Sequence, residues 1–160
     1  MSAITYRGSY LTPPFEQATV ADVMHRGILS CAPGTPVAEL AELFALHRVH
    51  CLLVEGVERD GAGTERLVFR ILDDLDLVRA LAADGRRDRC AADVATSTAI
   101  VLSASDGLVD VARLMLEHGV THAVVASERD ERPVGVVSAL DLAGAMAWGA
   151  IPGRVTAERR

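Results

Sequence analysis

Few side chains in this sequence stand where chemistry needs them. Ser138 and Asp141 lie three apart after Gly135, at the start of an apolar helical stretch. There a hydroxyl can cap the helix and an acid suits its positive end. Asp73, Asp74 and Asp76 form a second, acidic cap earlier in the chain, and three carboxylates so close repel any anion. His118-x-x-x-His122 has the spacing of a metal pair. However, His118 is predicted at a helix end and His122 on the next strand, so the geometry of one helical turn is lost. Cys31, Cys51 and Cys90 form no Cys-x-x-Cys, and an odd count without a signal sequence points to reduced thiols. No Ser, His and acid recur around a nucleophile elbow, and no Gly-x-Gly-x-x-Gly follows a strand. The expectation is a protein that is not an enzyme, with no catalytic residue and no metal.

The elements that carry these residues occur twice. Val37 to Val49 aligns with Leu108 to Val120 at an offset of 71 positions, as do Asp22-Val23 with Asp93-Val94 and Leu52 to Val54 with Ala123 to Val125. Asp76-Leu77 meets Asp141-Leu142 at an offset of 65, so the first copy holds six extra residues, read as a polar loop from Glu55 to Arg66. Each copy starts with a short apolar strand, Ile28 to Ala32 or Ala99 to Ser103, closed by turn residues. A helix follows, with apolar residues at helical spacing: Val37, Leu40, Ala41 and Phe44, or Leu108, Val111, Ala112 and Met115. Two strands come next, Leu52 to Val54 with Leu67 to Leu72, and Ala123 to Ala126 with Val134 to Val137. Helices over Leu75 to Ala83 and Leu140 to Ala147 close the copies, and Thr19 is placed to cap a short helix over Val20 to Met24. The fold class is mixed α/β of the α+β kind, in two β-α-β-β-α copies. A copy of about 60 residues buries little surface alone, so the two should pack together. The predicted division is an arm at 1–18, copies at 19–84 and 92–149, a linker at 85–91 and a tail at 150–160.

Composition narrows the partners. With 16 Lys+Arg against 22 Asp+Glu the net charge is −6, and no basic stripe with aromatics is present to neutralise a phosphate backbone, so nucleic acid is not an expected partner. No apolar run approaches a membrane span and no signal pattern opens the chain, so the expected location is cytoplasmic, away from membranes.

Taken together, the repeat, the Asp22-Val23-Met24 opening, the His47-Arg48-Val49 stretch and Gly135-Val136-Val137-Ser138-Ala139-Leu140-Asp141 resemble a tandem pair of cystathionine β-synthase (CBS) domains. The resemblance covers roughly residues 19 to 147. It implies two copies packed around a pseudo-twofold axis with two clefts, each able to hold an adenosine-containing ligand such as AMP, ADP, ATP or S-adenosylmethionine. It also implies a regulatory sensor with no obligatory cofactor. In the family's Gly-h-Ser/Thr-x-x-Asp signature the Gly lets backbone approach the ligand, the hydroxyl bonds a phosphate and the Asp accepts the ribose hydroxyls. Ser138 and Asp141 take those roles by resemblance. Met24, Leu29, Val49, His50, His122 and Val136 follow as further lining residues. His50 and His122 read equally as phosphate-facing imidazoles or as residues on an exposed strand edge.

The first copy departs from this signature, with Asp73 at the Ser position and Arg70 at the Gly position. A phosphorylated ligand is therefore expected only at the second copy; S-adenosylmethionine, adenosine or a cation suits the first better, and Arg70 is free to pair with one of its acids. The closing helices are apolar on more than one face, with Trp148 as a further anchor, which leads to an expected homodimer acting on a protein target that the sequence does not name. The alternative is a dimerisation scaffold whose clefts bind nothing.

Overall fold

The computed structural model describes residues 14–84, 89–95 and 97–148. Most of the expected arm and tail, four residues of the linker and the Trp148 side chain lie outside what is described. A 3-10 turn at Phe15–Gln17 leads into α1 (Val20–Val23), β1 (His25–Arg26), β2 (Ser30–Cys31), α2 (Val37–His47), β3 (Cys51–Arg59), β4 (Glu65–Asp73) and α3 (Asp74–Asp84). Then come α4 (Ala91–Val94), β5 (Ser97–Thr98), β6 (Val101–Ser103), α5 (Leu108–His118), β7 (His122–Ala126), β8 (Pro133–Ser138) and α6 (Ala139–Trp148).

The chain forms two compact units, one of residues 28–100 and one that joins the segment up to Gly27 with the segment from Val101 onward. These cut the chain differently from the sequence copies. The helix and strand that open the first copy, α1 and β1, belong with the elements of the second, while α4 and β5 belong with those of the first.

In the 28–100 unit the sheet order is β2-β3-β4-β5, parallel between β2 and β3 and antiparallel elsewhere. Val37, Leu40 and Phe44 line the buried stripe of α2 and pack with Leu52, Val54, Leu72, Leu77 and Ala80. Burying side chains of this size contributes roughly 1.5–3 kcal/mol each. Ala41 is exposed, because the stripe needs only one residue per turn at that point.

The stretch read as a loop from Glu55 to Arg66 is instead a long hairpin, with Glu55 paired to Phe69 and Arg59 to Glu65. Cross-strand pairs match apolar to apolar at Val57 and Leu67 and charge to opposite charge at Arg59 and Glu65. Asp60 Oδ1 closes the turn by accepting from the N–H groups of Ala62 and Thr64 at 2.9 Å each, and Gly63 takes the left-handed conformation with φ of 83°.

In the other unit the order is β1-β8-β7-β6. Leu108, Val111 and Met115 of α5 are buried, as are Val124, Val125 and Val137 of the strands beneath. The repeat is visible at the helix ends. Arg48 and Gly119, which align with each other, both terminate their helices in the left-handed region, with φ of 51° and 63°.

Candidate functional site

The start of α6 is built by a reciprocal cap. The Asp141 carboxylate accepts the Ser138 N–H at 2.8 Å and the Ser138 hydroxyl at 2.7 Å, both through Oδ2. Ser138 Oγ in turn accepts the Asp141 N–H at 3.2 Å. The other carboxylate oxygen, Oδ1, lies 2.8 Å from Nε2 of His25. Asp141 is only 15% exposed while His25 is 50% exposed, so the imidazole forms the solvent-facing side of the pair.

His25 is absent from the residues named by sequence reasoning. Its signal was position alone, since it directly follows the Asp22-Val23-Met24 opening. It arrives because β1 pairs antiparallel with β8, His25 opposite Val136 and Arg26 opposite Gly135. His122 stands opposite Ser138 on β7. Directly paired residues share a face, so His25, Val136, Ser138 and His122 stand on one side of this sheet. Nδ1 of His122 lies 3.0 Å from the Thr121 hydroxyl. Met24 is buried beside this strand.

Gly135 stands opposite Arg26 where β1 approaches β8. A Cβ there would run into the His25 carbonyl oxygen and would lie 2.6 Å from the Met24 methyl. The missing side chain admits the backbone of β1.

Of the predicted residues, Met24, His122, Val136, Ser138 and Asp141 thus come together in one unit. Leu29, Val49 and His50 belong to the 28–100 unit, where Leu29 and Val49 pack against its own core. His50 is exposed, with Nδ1 3.1 Å from Asp74 Oδ2.

The equivalent cap of the first copy has the same reciprocal geometry with an acid in place of the serine. Asp73 Oδ1 accepts the Asp76 N–H at 2.9 Å, and Asp76 Oδ2 accepts the Asp73 N–H at 3.2 Å. Burial pushes the Asp76 carboxyl above the usual carboxylate range; the bond from the Asp73 backbone opposes this, the Asp73 charge adds to it, and Arg79 at 3.2 Å lowers it again. Arg70 does not join these acids. Three residues before Asp73 on one strand, it points to the opposite face, where it pairs with Glu58 at 3.3 Å. A shallow hollow on that face, lined by Pro33, Val54, Gly56, Val68, Arg70 and Ala92, holds none of the predicted site residues.

Comparison with known proteins agrees with this architecture. The family model described as CBS domain matches residues 20–83 and 91–147, and the chain belongs to that family, with two copies. Among curated proteins none matches by sequence.

Solved structures with the same fold include the CBS domain pair of protein MJ0100 in complex with 5′-methylthioadenosine and S-adenosyl-L-methionine (20% identity, 81% of this chain and 96% of that one, TM-score 0.65). Another is Hypoxic Response Protein I with two coordinated zinc ions (27%, 79% and 98%, TM-score 0.61). A third is the CBS domain of a bacterial CNNM/CorC family Mg2+ transporter in complex with ATP (15%, 84% and 91%, TM-score 0.67). No helix among the described residues is long and apolar enough to cross a membrane.

Proposed function

We propose that the chain is a regulatory sensor that binds an adenosine-containing ligand, AMP, ADP, ATP or S-adenosylmethionine, at the Ser138–Asp141 cap. The observation that carries this reading is the exposed His25 on Asp141 Oδ1. Ribose hydroxyls replace that imidazole as donors to the carboxylate, and the freed His25, with Ser138 and the N–H groups opening α6, faces a phosphate. The adenosine ligands of MJ0100 and the transporter domain, both of this fold, support the choice of ligand class.

The first copy does not take a phosphorylated ligand, because the Asp73 carboxylate already occupies the Asp76 N–H that a phosphate would use and repels it by charge. The sensor works as a homodimer through exposed apolar residues of the closing helices, Leu75, Val78 and Leu81 of α3 and Leu140 and Met146 of α6. It answers to a protein target in the cytoplasm and needs no bound cofactor to fold.

A second reading, a scaffold with empty clefts, is favoured by one observation. The same reciprocal Asp occurs at Thr19–Asp22 and Cys90–Asp93, on helices of four residues, where its work is capping. Thermal melting with and without AMP and adenosine separates the two. Without ligand, Ser138→Ala and Asp141→Ala each lose about 1 kcal/mol as cap variants. With ligand, Asp141→Ala loses a further 1.5–3 kcal/mol or so of binding for both compounds, and Ser138→Ala weakens AMP more than adenosine. Equal losses with and without ligand refute the sensor and leave the scaffold.

A further inference from the structure

Two features that set the first copy apart from the second meet in space. The extra residues extend β3 and β4 into the long hairpin, and Arg70 stands where the second copy has Gly135. On one face of the hairpin Val54 lies opposite Arg70 and Gly56 opposite Val68, with Glu58 two residues further along β3. Arg70 reaches past Val68 and Gly56 to Glu58. Gly56 leaves the space between Val68 and Pro33 open, since a Cβ there would meet them at 3.5 and 3.7 Å.

The hollow on this face has a volume of about 210 Å³. Val54, Gly56 and Val68 form its apolar floor, and Glu58 and Arg70 its charged rim. Pro33 and Ala92, joined by a 2.8 Å bond from the Ala92 N–H to the Pro33 carbonyl, complete the lining. Drug-sized sites run to roughly 300–1,000 Å³, so this one suits a smaller molecule.

We infer that the hollow binds a free α-amino acid with a small aliphatic side chain, of the size of valine or leucine. Arg70 takes the carboxylate, Glu58 takes the ammonium group, and the aliphatic side chain covers Val54, Val68 and Pro33. The present contact between the two charges is a single long one, Nη2 to Oε1 at 3.3 Å, with the side chains 40% and 60% exposed. An exposed pair of this kind contributes little, so exchanging it for a zwitterion is cheap. The guanidinium fork fits a carboxylate through two parallel bonds. A carboxylate alone would leave Glu58 beside a like charge, and an amine alone would do the same to Arg70. Arg66, across the hairpin from Glu58, does not line the hollow.

The second copy lacks both rim residues: Gly135 replaces Arg70, and β7 ends at Ala126, short of the position that corresponds to Glu58. One amino acid therefore binds per chain. The site lies wholly in the 28–100 unit, while the Ser138–Asp141 cap belongs to the other, so it is independent of any adenosine ligand.

The test is titration of the full chain with L-leucine, followed through backbone amide shifts in proton–nitrogen spectra. Saturating shifts are expected at Val54, Gly56, Val68 and Ala92, with a Kd of about 1 mM, since a ligand of so few atoms gains little. Three probes that each lack one part of leucine should bind at least tenfold more weakly: 4-methylpentanoate without the ammonium group, 3-methylbutylamine without the carboxylate, and glycine without the aliphatic chain. Arg70→Gln and Glu58→Gln should each weaken leucine at least tenfold, with circular dichroism verifying that both are folded. The absence of saturable shifts up to about 20 mM leucine, far above that Kd, overturns the inference. Binding of any of the three probes as tight as that of leucine, or leucine binding that either Gln variant leaves unchanged, overturns it as well.

Discussion

Replacing Gly135 by Ala inserts one methyl group between two strands that have no room for it. The new Cβ would meet the His25 carbonyl oxygen, a backbone atom that cannot swing aside, as well as the methyl of Met24. Either β8 bends or β1 lifts off. Bending costs about 1–3 kcal/mol as overpacking. Lifting forfeits the pairs of His25 with Val136 and Arg26 with Gly135, and the Gly27 N–H bond to Val134 at 2.8 Å, at about 1 kcal/mol each. The cheaper route sets the cost, about 1–3 kcal/mol, or about 3–9 °C in melting temperature for a chain of this size. Gly56→Ala is the control. It is also a strand glycine, but its Cβ would meet only a Val68 methyl at 3.5 Å and Pro33 at 3.7 Å. That variant should melt within about 2 °C of the native chain. Differential scanning fluorimetry of both variants decides the matter. If Gly135→Ala melts within 2 °C of the native protein, the glycine is not there to admit β1.

Two further outcomes follow from the repeat. Arg48 holds the left-handed position that Gly119 fills in the other copy, so Arg48→Gly should raise stability in urea unfolding by about 0.5–1 kcal/mol, and a loss would contradict the strain assigned to it. Asp76 keeps its proton longer in the folded state than in the unfolded one, because burial raises its pKa. Its stabilising contribution is therefore present below the ordinary carboxylate range, near pH 4, and is lost as pH rises through the higher folded value. Asp76→Asn should flatten that decline in stability above pH 4; an unchanged slope in urea titrations at several pH values would refute it.

The repeat was legible because both copies place apolar residues at the same intervals, and Val37, Leu40 and Phe44 are buried as Leu108, Val111 and Met115 are. The Ser138–Asp141 cap was legible from its spacing, since three residues is the reach of an N-cap. Three things were not. The hairpin over 55–66 is rich in charge, and charges that match across strands look like a solvated loop until the pairing is known. Gly135 announces close approach without saying what approaches. His25 reaches Asp141 from 116 positions away in the chain, through a strand of two residues that no periodicity can reveal.

Because α1 and β1 belong with the elements of the second copy, the 28–100 unit is, in chain order, an insertion within the other. A ribosome delivers the inserted unit whole, while α1 and β1 wait for β8 and α6 to be made. Until then Val20 and Met24, both buried in the finished protein, have no core to enter. During synthesis this opening segment is therefore the part most open to a protease or a chaperone. For the same reason, a break placed between the two sequence copies would leave each fragment holding a helix and a strand that belong to the other.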